Sequence, residues 1–473
     1  MKRLSLVATA LLLSGCAIGP DFHAAPTPPA ASGAFVSATP IITSGAPTTD
    51  AWWRLYNDPV LDDLIIQAFA ANTDLRVATA NLRKARAVLS ESRSGRFPTT
   101  SISGSAVKSR QSVSTLNGPV PFESDFYKLA LDASYEIDLY GRVTRSIEAA
   151  RADTAAQAAQ RDTVAISVAA ETARAYADAC SSARQLAVAS RSLKIQSDSF
   201  DLTERRVAAG RDAPVDAARA RAQVETTRAT LPTFAADRRS ALFRLAVLTG
   251  KPPAEFDTRA AQCTAPPSLA QPIPVGDGAA LLKRRPDIRQ ADRTLAADTA
   301  RIGIATADLY PKISLGGSLS AQGVTPGAAF SNQGFGFSIG PLISWSFPNI
   351  LVARARIRQA QASAESALAS FDGTVLAALQ ETETALSDYS GTIDRNRALR
   401  GARDQSAEAA RIIRLRYSAG AENFLTVLDA ERTLATADAS LAESDAALTT
   451  AQIAVFKALG GGWEMAPEQK PKH

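Results

Sequence analysis

Histidine and cysteine, the side chains that most often bind metals or catalyse reactions near neutral pH, are scarce in this sequence. The 473 residues include two histidines and three cysteines. His23 lies in a proline-rich stretch and His473 is the last residue, so neither sits where a folded element could hold a His-based triad. The carboxylates are scattered without a paired site. We therefore predict no enzymatic activity, no metal site and no cofactor.

Cys16 has a specific sequence context. Residues 2–3 are basic, and 4–13 form an apolar run too short to cross a bilayer as a helix. Two small residues precede Cys16, and the segment resembles a bacterial lipobox, in which the peptide is cut before an acylated cysteine. We predict a signal peptide over 1–15 and acyl anchoring at Cys16. The alternative is an ordinary secretory signal with a chance cysteine.

Cys180 and Cys263 are the remaining cysteines, and an exported chain permits a disulfide. Two cysteines allow only one pairing, so we predict a Cys180–Cys263 bridge, with two unrelated buried thiols as the alternative. Residues 17–50 are rich in Pro, Ala, Ser and Thr and lack a helical or strand period. We interpret 16–59 as a lipidated tether that separates the membrane from the fold.

The helices and strands that we predict for this chain occur in two copies. Three short stretches of the first half recur in the same order 208 to 213 residues later: 206–210 at 416–420, 96–98 at 309–311, and 139–141 at 347–349. Such a constant offset indicates duplication. We predict repeats over 60–250 and 278–460, joined by a proline-rich segment at 251–277 and followed by a tail at 461–473.

Each repeat has the same predicted plan. A helix is followed by strands, a very long helix, a glycine turn and a return helix. The first helices span 60–94 and 278–308, the long helices 142–208 and 351–417, and the return helices 214–249 and 423–459. At about 1.5 Å per residue the long helices reach roughly 100 Å, too long for a globular core, so they must pack side by side.

The predicted strands alternate between apolar and polar residues. They span 99–107, 126–140, 312–321 and 333–347. This period of two, over about the length of a tilted membrane strand, favours a β-barrel, although a half-buried soluble sheet shows the same alternation. Residues 313–353 carry no charge, but their glycines and prolines argue against a transmembrane helix. Four strands cannot close a barrel, so several chains must share one.

Five stretches of the sequence resemble those of a known family. The stretches NTDLR at 72–76, ANLRKAR at 80–86, YEIDLYGRV at 135–143, LLKRRPDIRQA at 281–291 and NFLTVLDA at 423–430 are similar to those of TolC-type outer-membrane efflux channels, specifically the NodT-type lipoprotein branch. The resemblance covers nearly everything from Cys16 to Trp463. It implies a mostly α fold with a membrane β-barrel, in which three chains form twelve strands joined to a twelve-helix periplasmic α-barrel.

The resemblance also implies the partners and the function. The homotrimer would sit in outer-membrane lipid and meet a periplasmic adaptor (membrane fusion) protein and an inner-membrane resistance–nodulation–division transporter. It would conduct drugs or other small toxic compounds passively. A net charge of +5 spread over this length gives no reason to expect nucleic acid as a partner.

Site residues follow from the resemblance by position. Leu425 and Asp429 match a constriction at the periplasmic end; the alternative is an ordinary amphipathic helix with Asp429 solvated or paired to Arg432. Tyr417 matches a residue that bonds an acidic side chain to latch the closed state, here Asp212 or Asp216. The turns with Val207, Gly210 and Gly420 would meet the adaptor.

Two other functions remain open from the sequence. An adaptor or scaffold lipoprotein with coiled-coil stalks would explain the helices, but not the alternating strands. The outer-membrane duct of a metal efflux or type I secretion system would share the same architecture.

Overall fold

The computed structural model describes residues 17–26, 29–39, 43–111, 122–269, 271–345, 347 and 350–466. The predicted signal peptide and the acylation site Cys16 lie outside these ranges. Most of the described residues are helical. Within these ranges no helix is both long enough and apolar enough to cross a membrane.

The first half follows the predicted order of elements. It contains β1 (Thr43–Ser44), α1 (Pro59–Ala71), α2 (Thr73–Ser94), β2 (Thr99–Gln111), β3 (Phe122–Ile137), α3 (Arg142–Ala208), α4 (Pro214–Arg228) and α5 (Leu231–Leu248).

The second half repeats this plan. It contains β4 (Ile273–Pro274), α6 (Gly278–Arg284), α7 (Pro286–Ala307), β5 (Lys312–Gly323), the short α8 (Pro326–Ala329), β6 (Phe335–Ser344), α9 (Ile350–Ser418) and α10 (Phe424–Ala458). The long helices α3 and α9 have 67 and 69 residues.

Three helices predicted as continuous are interrupted. The predicted helix 60–94 breaks at Asn72, whose backbone leaves the helical region. The predicted helix 278–308 breaks at Arg285, because the residue before a proline avoids the α conformation. The predicted return helix 214–249 is interrupted between α4 and α5, because Pro232 has no N–H to donate to the preceding turn.

Strand ends differ from the prediction by a few residues. The strand predicted over 126–140 begins earlier, at Phe122, and ends at Ile137. It ends there because the carboxylate of Asp138 accepts hydrogen bonds from the backbone N–H groups of Val143 and Thr144, at 2.9 and 2.8 Å. Those contacts cap α3, so the residues between strand and helix form a turn.

The four long strands form one antiparallel sheet in the order β2-β3-β5-β6. Ile102 lies opposite Leu131, which lies opposite Leu319, so one face is apolar across three strands. Asp132 lies opposite Ser101 and Ser318 on the other face. Apolar side chains such as Phe337 and Ile339 are more than three-quarters exposed in the single chain.

The described residues divide into two compact units. Unit 1 comprises the described parts of Met1–Ala25, Leu82–Gln157 and Gln290–Asp372, and it contains the sheet. Unit 2 comprises those of Pro26–Asn81, Ala158–Arg289 and Gly373–His473. In the core of unit 2, Trp52 stacks on Phe456 with ring centroids 4.8 Å apart, and both are almost fully buried.

The prediction that 16–59 is only a tether was wrong for its described residues in unit 2. Phe35 and Trp53 are buried in the core of that unit. The N–H groups of Val36 and Ser37 donate to the carboxylate of Glu383 at 2.7 and 2.8 Å, and β1 pairs in parallel with β4. Composition alone missed this packing because its partners lie hundreds of residues away.

Candidate functional site

The two glycine turns have the same backbone geometry. The N–H of Gly210 donates to the carbonyl of Val207 at 2.9 Å, and the N–H of Gly420 donates to that of Tyr417 at 2.9 Å. Both glycines have positive φ, +68° and +78°, which favours glycine because it has no Cβ. Both are exposed, and Val207 is partly exposed beside the first turn. The chain therefore carries two similar, open helix-to-helix turns.

Tyr417, at the end of α9, is 2% exposed and bonds to the first turn. Its hydroxyl donates to Oδ2 of Asp212 at 2.6 Å and lies 3.2 Å from Oγ1 of Thr203 on α3. The prediction left two possible acidic partners, and the structure selects Asp212. Asp216 instead faces Arg219, with 3.8 Å between Oδ1 and Nη1.

Arg206 completes this group, and the sequence prediction missed it. Its guanidinium donates to both carboxylate oxygens of Asp212, at 2.9 and 3.1 Å, and to the backbone carbonyl of Tyr417 at 3.1 Å. It also lies over the Tyr417 ring, 4.4 Å from the centroid. The repeat offset was a signal for it: Arg416 and Glu422, 210 residues after Arg206 and Asp212, also approach each other, at 3.8 Å.

The electrostatics favour an ionised carboxylate facing a protonated phenol. Burial alone would raise the pKa of Asp212, but hydrogen bonds from Arg206 and Tyr417 and the charge of Arg206 hold it below its ordinary value. Burial, reinforced by the hydrogen bond to Asp212, raises the pKa of Tyr417 to about 12. At neutral pH the three side chains therefore form a charge-assisted network between α3 and α9.

Leu425 and Asp429 lie on the first turns of α10, which begins after Asn423. The side chain of Asn423 caps the helix by accepting from the N–H of Thr426 at 3.0 Å. Leu425 is 49% exposed and Asp429 is exposed, one turn apart on the same face. Arg432 donates to Gln223 at 2.7 Å, so its hydrogen bond goes to α4 and not to Asp429.

Glu431 is a buried carboxyl group close to this region that the prediction did not include. It is 5% exposed and accepts a hydrogen bond from the Ser199 hydroxyl at 2.5 Å, with Arg414 4.0 Å away. Burial raises its pKa, against the opposing effects of Ser199 and Arg414. An alternation of apolar and charged residues along a helix gives no sign that this one carboxylate faces inward.

Cys180 and Cys263 lie together in unit 2. Their sulfur atoms are at bonding distance, 2.04 Å, and the link joins α3 to the loop after α5. Cys180 is fully buried in the core. The structure therefore pairs the two cysteines that counting predicted.

Comparison with known proteins gives the family. A sequence model described as "Outer membrane efflux protein" matches residues 64–251 and again 279–461. The chain belongs to the outer membrane efflux protein family. It is 30% identical to nodulation protein T of Rhizobium leguminosarum bv. trifolii over 96% of both chains.

Solved structures of the family agree. The structure of the outer-membrane channel OprN has 35% identity and a TM-score of 0.89, and covers 95% of this chain and 100% of that one. The open-state MtrE outer-membrane channel of Neisseria gonorrhoeae has 28% identity and a TM-score of 0.83, covering 95% and 99%.

These findings confirm the predicted fold class, localisation and function class. The chain is an outer-membrane efflux channel of the TolC type, mostly helical, with a periplasmic helical tube. Members of the family are trimers that work with a periplasmic adaptor and an inner-membrane resistance–nodulation–division transporter, which are the predicted partners. The family acts as a passive duct.

Proposed function

We propose that this channel exports small toxic compounds and is closed at its periplasmic end by the network of Tyr417, Asp212 and Arg206. The adaptor and the inner-membrane transporter deliver the compound, and the channel itself performs no chemistry. Relatives are named for efflux of antibiotics and toluene and for export of pyoverdine, so the family carries chemically diverse small molecules. This breadth supports a duct whose own walls select little.

The single observation that carries the gate is the bond from Tyr417 to Asp212. It links the end of α9 to the turn that follows α3, and Arg206 holds both partners. Opening the periplasmic end requires α9 and α10 to move away from α3, which breaks this bond. A buried, charge-assisted network of this kind resists such a movement more than an exposed ion pair does.

The constriction itself is formed by Leu425 and Asp429. Three copies of an exposed leucine form an apolar ring that excludes water, and three copies of Asp429 form a ring that attracts cations. Both side chains are exposed in the single chain, as residues facing a central opening must be. The neighbouring turns with Val207, Gly210 and Gly420 are the surface for the adaptor.

Two further features suit an exported membrane protein. Acylation at Cys16 anchors the chain to the inner leaflet of the outer membrane, and several acyl groups are needed for stable anchoring. The Cys180–Cys263 bond persists in an oxidising compartment.

The gate is tested with Tyr417→Phe and Asp212→Asn. Each removes hydrogen bonds from the network. We expect the mean conductance of resting channels in planar bilayers to rise about tenfold, because losing a charge-assisted bond worth about 1.5–3 kcal/mol shifts the population from closed to open. Cells carrying either variant should become sensitive to a large antibiotic that the closed channel excludes. Asp216→Asn is the matched control, since Asp216 has only a long ion pair with Arg219, at 3.8 Å. A mean resting conductance equal to that of the unmutated channel in both variants would refute this gate.

The exported compound is tested in a strain lacking the gene. The panel contains amphiphilic antibiotics, detergents, organic solvents and metal salts, with the cloned gene as the control. Sensitivity to amphiphiles supports the proposal. Sensitivity to metal salts alone would instead assign the channel to metal efflux, and loss of a secreted protein would assign it to type I secretion.

A further inference from the structure

The first described residues, Ala17 to Asp21, belong to unit 1 and pack against its other segments. They lie where β3 ends and α3 begins. The N–H of Ile18 donates to the carbonyl of Tyr140 at 3.3 Å. This contact fixes the chain at the junction of strand and helix, two residues after the predicted acylation site.

Arg145, one turn into α3, makes most of the polar contacts. Its guanidinium donates to the carbonyls of Ile18 and Gly19, both at 3.2 Å, and to the carboxylate of Asp21 at 2.8 Å. It also donates to Glu148 at 2.8 Å, which fixes its orientation. The Arg145 side chain is only 4% exposed although Asp21 is 77% exposed. Because this buried arginine donates to two backbone carbonyls as well as to Asp21, it binds the peptide backbone of the segment and not only the charge of Asp21.

Three glycines make room for the segment. A Cβ on Gly303 of α7 would lie 2.8 Å from the carbonyl oxygen of Ile18, and one on Gly19 would lie 2.5 Å from the Cα of Gly303. A Cβ on Gly141 would lie 2.5 Å from the Cα of Ala17. Backbone meets backbone at these points, so only glycine fits. We define the seat as Gly141, Arg145 and Gly303.

We propose that the seat positions the membrane anchor. The inference rests on acylation at Cys16, as proposed above. Because consecutive Cα atoms are about 3.8 Å apart, an acyl group on the residue before Ala17 enters the bilayer beside the periplasmic end of β3. The anchor and the strands then reach the membrane at one place. If the segment were instead a flexible linker of tens of residues, the anchor could insert while the strands remained far from the bilayer. The effective concentration of the strands at the membrane would then be low.

The sharpest test is Gly303→Ala. Alanine favours a helix more than glycine does, so α7 is not weakened. Its Cβ, however, would lie 2.8 Å from both Cγ of Arg145 and the carbonyl oxygen of Ile18. Gly391→Ala in α9 is the matched control, since a Cβ there meets nothing within 4 Å. Purified trimer is treated with chymotrypsin, and cleavage after Phe22 is followed by mass spectrometry. We expect cleavage about tenfold faster in Gly303→Ala alone, because cleavage follows the population of the released segment.

The second measurement is assembly. In a pulse-chase experiment, Gly303→Ala should be acylated normally but form heat-resistant trimer several-fold more slowly than Gly391→Ala. Unchanged cleavage would show that the segment is not held by the seat. Faster cleavage with normal assembly would show that the seat does not position the anchor. Either result overturns the proposal.

Arg145 gives an independent series. Arg145→Ala should release the segment, and Arg145→Lys should restore it only in part, because an ammonium cannot reproduce the planar set of donors. Arg151→Ala, an exposed arginine on the same helix, is the control. The proposed export function is tested separately: it fails if the unmutated gene does not restore resistance in the deletion strain. That outcome would not affect the cleavage and assembly results.

Discussion

In the proposed gate, Asp212 is the residue on which closure depends most, because it accepts from both Tyr417 and Arg206. Its neighbour Asp216 has a single exposed partner at 3.8 Å. Two aspartates four residues apart thus differ in what surrounds them, and sequence alone treated them as equal candidates. Arg206 accounts for the difference, because its side chain at the end of α3 reaches across the turn before α4 and binds Asp212.

The lowered pKa of Asp212 predicts how the closed state depends on pH. A carboxyl group with a depressed pKa stabilises the folded arrangement above its ordinary value of about 3.9, and this contribution is lost as the pH falls through the lower, folded value. We expect closed-state conductance to be constant from about pH 5 to 8 and to rise below about pH 4. Asp212→Asn should remove this acid response in bilayer recordings. An acid response that persists in the variant would assign it to another group.

At the scale of elements, the break between α1 and α2 is a built junction. Asn72 is 3% exposed, and its amide oxygen caps α2 by accepting from the N–H groups of Asp74 and Leu75 at 2.9 and 3.2 Å. Its amide nitrogen donates to the carbonyl of Leu248 at 3.1 Å, which ties the junction to the end of α5.

Asn72→Ala should lower the free energy of unfolding by about 1–3 kcal/mol, since it removes a helix cap and leaves a buried carbonyl without this donor. Thermal or urea unfolding of the purified trimer measures this loss. Thr73→Ala, an exposed neighbour, should change stability by less than about 0.5 kcal/mol. Equal effects of the two substitutions would contradict the assignment of the cap.

The bond between Cys180 and Cys263 also acts between elements. It closes a loop with a sequence separation of 83 residues, and a loop of that length predicts a stabilisation of about 4.5 kcal/mol through the unfolded state. The double variant Cys180→Ser with Cys263→Ser should therefore unfold at clearly lower denaturant concentration. The control is the unmutated protein under reducing conditions, which should fall to the same value. Identical unfolding of oxidised and reduced protein would rule out a stabilising bond.

The sequence predicted features that depend on local patterns and missed features that depend on contacts between distant residues. The long helices and the alternating strands were predictable because their periodicity is local, and the disulfide because two cysteines have one pairing. The helix break at Asn72 depends on the carbonyl of Leu248, and the packing of Trp52 depends on Phe456. Such partners are defined only by the fold. Arg206 was missed for the same reason, since a single arginine in a charged helix looks solvated.

At the scale of the whole molecule, the role proposed for Asp429 depends on its copies in the trimer. One exposed carboxylate changes little, but three around an opening attract cations. Asp429→Asn should lower the permeability ratio of potassium to chloride by about threefold or more, as measured from reversal potentials in a salt gradient. Asp394→Asn, an exposed aspartate paired with Arg397, is the control and should leave the ratio unchanged. An unchanged ratio in Asp429→Asn would place this residue away from the conducting path.

The pairing of β1 with β4 has a consequence for the order of events during export. Thr43 pairs with Ile273. The N–H of Val36 donates to Glu383, which lies 347 residues later in the chain. Contacts between such distant positions form late, since the intervening chain must first be synthesised and brought together. The amino-terminal segment therefore emerges first but can dock only after Glu383 has followed it. Until then its backbone lacks these partners and is open to proteases.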